Sequence, residues 1–158
     1  MKRKSSPELG SEVTSKAELF ERRALRNGIA VVRVDGPEDV ANAIASRVEG
    51  GYLAAVRLAA AALHDTGSVV LIGSARTQLV TTLSDQLFVL LELGLLERRA
   101  EIGELVRRVA EQGLGPIYIV SGPSSTRDIE HVLVRGATGP RSVTYLIGDG
   151  GRWGWTRW

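Results

Sequence analysis

Cysteine is absent from the 158-residue chain. That absence removes disulfide frameworks, thiolate zinc sites and cysteine-ligated iron–sulfur clusters from what this chain can hold by itself. Histidine is nearly as scarce, with only His64 and His131, too few for an imidazole-based transition-metal site. No metal and no cofactor of its own is therefore expected. Aromatic residues make up 5%. Net charge is small as well: twenty basic against eighteen acidic side chains leave +2, which argues for neither a nucleic-acid nor a membrane partner. Long apolar runs are also missing. Arg, Glu, His or Asp interrupts each stretch before the roughly 18 residues that a membrane helix needs. Met1-Lys2-Arg3-Lys4 is not followed by the apolar segment of a secretory signal. A cytoplasmic location is the expectation that follows.

What remains is the composition of an ordinary folded domain, 44% apolar and 24% charged, in a chain long enough to bury its own core. Residues 1–14, rich in Ser, Lys, Glu and Gly, read as a mobile N-terminal arm, and residues 15–158 as a single α/β domain. A first helix is expected from Ser15 to Asn27, where Leu19, Phe20, Ala24 and Leu25 recur near helical spacing and Gly28 closes the end. Ile29–Val34 is a β-branched run that suits a buried strand. Pro37 then opens a helix to Glu49, stopped by Gly50-Gly51. The Ala-rich run Tyr52–Leu63 has high helix propensity and reads as a helix with a small-residue face. Ser68–Gly73, Leu87–Leu91, Ile117–Ser121 and Ser142–Ile147 read as strands. Glu97–Gln112 reads as an amphipathic helix buried through Ile102, Leu105, Val106 and Val109, with Glu104 and Arg108 as an i,i+4 pair. Helices alternating with continuous apolar strands imply a mainly parallel sheet covered on both faces by crossover connections.

The sharpest local feature runs from Ser121 through Gly122, Pro123, Ser124, Ser125, Thr126 and Arg127 to Asp128, Ile129 and Glu130. It follows a strand and is expected to open a helix. Gly122 permits close backbone approach, and the free N–H groups of a helix start attract an anion. The plainer alternative is a cap in which Ser124 or Ser125 satisfies those donors, with Asp128 and Glu130 complementing the dipole. In an open parallel sheet such a turn lies at the carboxyl edge, where ligands sit. Gly139-Pro140 turns the chain into the last strand. In His64-Asp65-Thr66-Gly67-Ser68 an imidazole adjoins a carboxylate, though His64 equally suits a helix C-terminus. There is no nucleophile elbow, Walker loop or Gly-x-Gly-x-x-Gly after the first strand. Trp153, Trp155 and Trp158 stand beside Arg152 and Arg157 in the tail, which reads as a segment packed on the domain or as a partner surface.

The run SGPSSTRDIEHVLVRGATGPRSVTYLI, Ser121 to Ile147, resembles the signature of the LUD, or lactate-utilisation, domain: Gly-Pro-Ser-x-Thr-Ala-Asp-Ile-Glu, a short helix, Gly-Val-His-Gly-Pro and a strand. Upstream, His64-Asp65-Thr66-Gly67-Ser68-Val69-Val70-Leu71 is similar to the family's Glu-Thr-Gly-Thr/Ser strand start. The short form without cysteines looks like the LutC type of subunit. The resemblance implies a single three-layer α/β fold related to ribose-5-phosphate isomerase and CoA transferases. It also implies a role in oxidising L-lactate to pyruvate alongside iron–sulfur subunits. On that reading the chain is an accessory subunit without clusters, and Gly122, Pro123, Ser124, Ser125, Thr126, Asp128, Gly139, Asp65, Thr66 and Gly67 form a pocket for a small carboxylate or phosphate. Three positions depart from the family pattern: Arg127 for Ala, Thr138 for His, and Gln86 where a His often precedes the central strand. The stretch between Val48 and Leu53 is also shorter than in the family. Two other readings stay open. One is a free-standing enzyme of the same fold with Asp128 or Glu130 as base, and the other an interaction module or homo-oligomer contacting through the Trp/Arg tail.

Overall fold

Continuous apolar runs form the middle of a sheet in this protein, and alternating ones its edges. The computed structural model describes residues 9–97, 99–126, 134–135 and 139–148. In chain order the elements are α1 (Leu9–Arg26), β1 (Ala30–Val34), α2 (Pro37–Ala45), β2 (Ala54–Leu58), β3 (Ala61–Leu63), β4 (Ser68–Ile72) and α3 (Ala75–Leu83). They continue with β5 (Gln86–Glu92), β6 (Leu96–Glu97), α4 (Ile102–Glu111), β7 (Ile117–Val120), β8 (Ser125–Thr126), β9 (Val134–Arg135) and β10 (Ser142–Gly148). Strands β1, β10, β5 and β2 lie side by side in that order, all parallel. β5 is buried at every position and β10 at all but Ser142, as central strands covered on both faces should be.

A second sheet, ordered β6-β3-β4-β7, packs against the first. In it β4 runs antiparallel to both neighbours, while β3 and β6 are parallel. The two inner faces share one core: Ala55, Leu87, Val89 and Tyr145 meet Val69 and Leu71, with Phe20 and Ala24 of α1 packed in the same cluster. The Phe20 and Tyr145 rings stack with centroids 5.5 Å apart. α2 covers the opposite face of the parallel sheet through Val40 and Ala43. α4 covers the outer face of the mixed sheet through Leu105 and Val109. The architecture is thus the expected mixed α/β one, a mainly parallel central sheet flanked by helices, with the second sheet as an added component.

Several elements differ from the sequence expectation. The Ala-rich run is not a helix. It forms β2 and β3, and between them Ala59 bonds to Leu90 of the parallel sheet and Ala60 to Val70 of the mixed one, at 2.9 and 2.8 Å. Small side chains let the backbone cross between closely packed sheets, so tertiary packing overrides helix propensity. β4 consequently follows a strand and a turn, not a helix. α1 begins at Leu9, so residues 9–14 of the expected arm are helical. Its end is as expected: Gly28 and Ile29 donate to Leu25 and Ala24 in a Schellman closure. α2 stops at Ala45, short of Glu49. α4 starts after a short 3₁₀ turn at Arg99–Glu101. Val106 is exposed, and Glu104 pairs with Arg107 while Arg108 reaches Glu97. α3 was not expected at all. Its apolar residues Leu79, Val80 and Leu83 are exposed and only Thr81 is buried, which leaves no amphipathic stripe to read. Residues 1–8, 127–133, 136–138 and the Trp/Arg tail lie outside the described residues.

Two contacts fasten the halves together. At Gly67, in the β3–β4 turn, φ is +72° and a Cβ would stand 2.4 Å from the Ala24 nitrogen of α1. Gly67→Ala is expected to cost about 3 kcal/mol or more, through backbone strain and collision. Gly94→Ala, with nothing within 4 Å of the new Cβ, should change little in the same denaturant titration. The Tyr145 hydroxyl donates to the carbonyls of Gly67 and Val120, each at 3.2 Å, joining β10 to two points of the mixed sheet's side of the molecule. Tyr145→Phe should lose about 1–3 kcal/mol, measured by urea unfolding; an unchanged midpoint would count against this role.

Candidate functional site

Beyond the region that Tyr145 and α1 close, the two sheets leave a gap of about 440 Å³. Its floor is Leu71 of β4 and Leu87 of β5, both fully buried. One wall is β7, whose Tyr118 and Val120 face the shared core. The opposite wall is α3, through Gln78, Thr81 and Thr82, together with Arg57 of β2. Ser121, Gly122 and Ser124 line one end with Gly139 and Pro140.

Arg57 reaches this place because alternation along β2 sends Ala55 and Arg57 toward the mixed sheet. Its Nη1 donates to the Thr77 carbonyl at 3.0 Å and to Thr81 Oγ1 at 2.6 Å, and Nη2 donates to the Ile72 carbonyl at 3.0 Å. Three of the five guanidinium N–H bonds are thereby used. The acceptors are all neutral. Among the described residues no carboxylate pairs with Arg57. Burial pushes its pKa down from the ordinary guanidinium value, and a charge effect from Tyr118 pulls it part of the way back up. A partly desolvated cation with no carboxylate partner among the described residues, and with Nε–H and one Nη2–H left over at the edge of a cavity, has the donor set that anion binding requires.

The residues singled out from the sequence are not all brought together. Gly122, Ser124 and Gly139 line the cavity. Pro123 does not: its Cδ lies 3.8 Å from where a Gly28 Cβ would be, against the end of α1. Gly122 is needed there too, since a Cβ would come within 2.7 Å of the Asn27 carbonyl. Ser125 and Thr126 form β8, paired antiparallel with β9, so the chain does not pass directly into a helix at Ser124 or Ser125. The Ser124 N–H is taken by the Pro140 carbonyl at 2.7 Å. Anion capture by a free helix start at these residues is therefore replaced by a strand pair. Asp128, Glu130, His131, Arg127 and Thr138 lie outside the described residues.

Asp65, Thr66 and Gly67 form the β3–β4 turn and do not line the cavity. They connect to it through hydroxyls: Thr66 Oγ1 lies 3.0 Å from Ser68 Oγ, which lies 2.9 Å from Ser121 Oγ. The Thr66 carbonyl accepts from Asn27 Nδ2 at 2.9 Å. His64 follows a strand, not a helix, as the first residue of the turn, and is buried while Asp65 is exposed; its backbone N–H donates to the Glu97 carbonyl and its Nδ1 has no partner among the described residues. Gln86 is buried at the start of β5, where its side chain accepts from the Glu49 N–H at 2.9 Å and donates to the Arg47 carbonyl at 3.0 Å. It clamps the short 46–53 loop, which borders a separate depression of about 220 Å³.

The cavity also differs in position from the expectation. β7 belongs to the mixed sheet, so the turn after it lies at the amino ends of β5 and β10, next to Leu87 and Pro140, and not at the carboxyl edge of the parallel sheet. Arg57, Gln78, Thr81, Thr82 and Tyr118 were missed. The signal for Arg57 was a single cation within the apolar run AAVRLAAAAL, hidden by reading that run as a helix.

No protein-family model matches the chain. The chain is similar to the uncharacterised protein YkgG of Escherichia coli strain K12, at 39% identity over 90 residues, 54% of this chain and 39% of that protein. It thus spans about two fifths of the relative's length. In three dimensions it is similar to a DUF162 family protein from Deinococcus radiodurans, solved by crystallography at 1.70 Å. The TM-score is 0.62 and the identity 15%, over 87% of this chain and 98% of that one. The chain therefore has the fold of that DUF162 family protein, a helix-flanked, mainly parallel sheet.

Proposed function

We propose that the chain is a cluster-free accessory subunit of an L-lactate utilisation system, a LUD (DUF162) domain of the LutC type, which binds a small carboxylate at Arg57 between its two sheets. The observation that carries this reading is the pairing of a guanidinium that has no counter-ion among the described residues with an open cavity of about 440 Å³. A DUF162-type fold supports the family assignment, and the sequence motifs around Asp65 and Gly122 agree with it. In this role Arg57 takes the carboxylate by charge-assisted hydrogen bonds. The Tyr118 hydroxyl on the cavity wall reads a neighbouring hydroxyl or keto oxygen. Gly122, Ser124 and Gly139 shape the end of the site. Because the chain has no cysteine, electrons pass through iron–sulfur partners in the cytoplasm and not through this subunit.

Calorimetric titration with L-lactate tests the binding. A charge-assisted bond is worth about 1.5–3 kcal/mol, so Arg57→Gln is expected to weaken binding about 10- to 150-fold, with Arg57→Lys between the two. Since Arg57 is shifted downward from a very alkaline pKa, affinity should be flat through neutral pH and fall only at the alkaline end. Equal binding by wild type and Arg57→Gln, with both folded by circular dichroism, would remove the site. Affinity capture from the native cell should recover an iron–sulfur protein; its consistent absence would contradict the accessory role.

A further inference from the structure

The size and lining of the cavity point to more than a three-carbon acid. At about 30 Å³ per water molecule in the liquid, about 440 Å³ holds roughly fifteen waters. Lactate has six non-hydrogen atoms, so even at one water displaced per atom it would fill less than half of that space. Cavities of about 300–1,000 Å³ are the usual size for ligands much larger than lactate.

The lining is also divided. Arg57, Gln78, Thr81 and Thr82 are gathered on the β2 and α3 side, whereas the β7 side presents the Tyr118 ring and Val120 above the buried Leu71 and Leu87. Tyr118 and Val120 point into the shared core from β7 yet remain only half-buried. Inward-facing residues of a packed sheet are normally covered, so apolar surface there is waiting to be covered by something else.

We propose that the preferred ligand is an amphipathic monocarboxylate, a 2-hydroxy or 2-oxo acid with a branched or aromatic side chain. Its carboxylate sits on Arg57 and its apolar body lies against Tyr118 and Val120 of β7. The inference rests on the carboxylate reading above and deepens it from a small acid to a bulky one. Each methylene moved from water to the β7 wall should tighten binding about fourfold, and an aromatic ring about a hundredfold. Thr82 is exposed on the rim, so Thr82→Trp should narrow the cavity without disturbing the core and should penalise the bulkier acid more.

The test is a calorimetric comparison of L-phenyllactate, L-lactate and the neutral 3-phenyl-1,2-propanediol on the full chain. Phenyllactate binding at least tenfold tighter than lactate, little binding of the diol, and a smaller phenyllactate-to-lactate ratio in Thr82→Trp support the inference. If lactate binds as tightly as phenyllactate and both depend on Arg57, the bulky-acid inference is overturned while the small-carboxylate reading survives. If neither acid binds, or the diol binds as well as phenyllactate, both are overturned.

Discussion

The contact between the parallel sheet and the mixed sheet is the constraint on which the rest of this molecule depends. It is tight at Tyr145, whose ring stacks on Phe20 and whose hydroxyl reaches carbonyls on two segments of the opposing layer. Burial raises the phenol's pKa above its ordinary value, so the hydroxyl keeps its proton and stays a donor. From that fixed point the sheets continue past one another over the buried Leu71 and Leu87, and a cavity remains between β7 and α3. The cavity is therefore a consequence of how the layers are joined at one end and left apart at the other.

Arg57 is placed by the same arrangement. A cation pointing into an apolar layer is costly unless it is hydrogen-bonded, and Thr77 and Thr81 of α3 together with the end of β4 supply three oxygen acceptors for it. These contacts hold the guanidinium without neutralising it. Preorganised in this way, it would lose little freedom on taking the proposed carboxylate, which is the condition under which a single charge gives useful affinity. The Thr66–Ser68–Ser121 hydroxyl chain belongs to the scaffold behind the site, linking the β3–β4 turn to the segment that ends the cavity.

Much of the fold was legible in the sequence. The uninterrupted apolar runs at 87–91 and 142–147 are central strands because a strand covered on both faces tolerates no polar alternation, and Gly28 marked the end of the first helix through its local closure. The misreadings share one cause. Tyr52–Leu63 was given to a helix by alanine propensity, although the alanines are there so that two sheets can approach. α3 carries neither a stripe nor a run, since its work is to supply Thr77 and Thr81 to Arg57. Of the site, Gly122, Ser124 and Gly139 could be found from turn chemistry, because local residues encode a turn. Arg57, Thr82 and Tyr118 could not, because strands far apart in the chain bring them together only after the sheet pairing is known.

Nuclear magnetic resonance of the Arg57 side chain tests the central claim most directly. The account predicts that adding a carboxylate moves the Arg57 Nε–H resonance saturably, along with the methyl groups of Leu71, Leu87 and Val120. Shifts confined to exposed arginines such as Arg22 and Arg26, with Arg57 and those methyl groups unmoved at saturating acid, would contradict it.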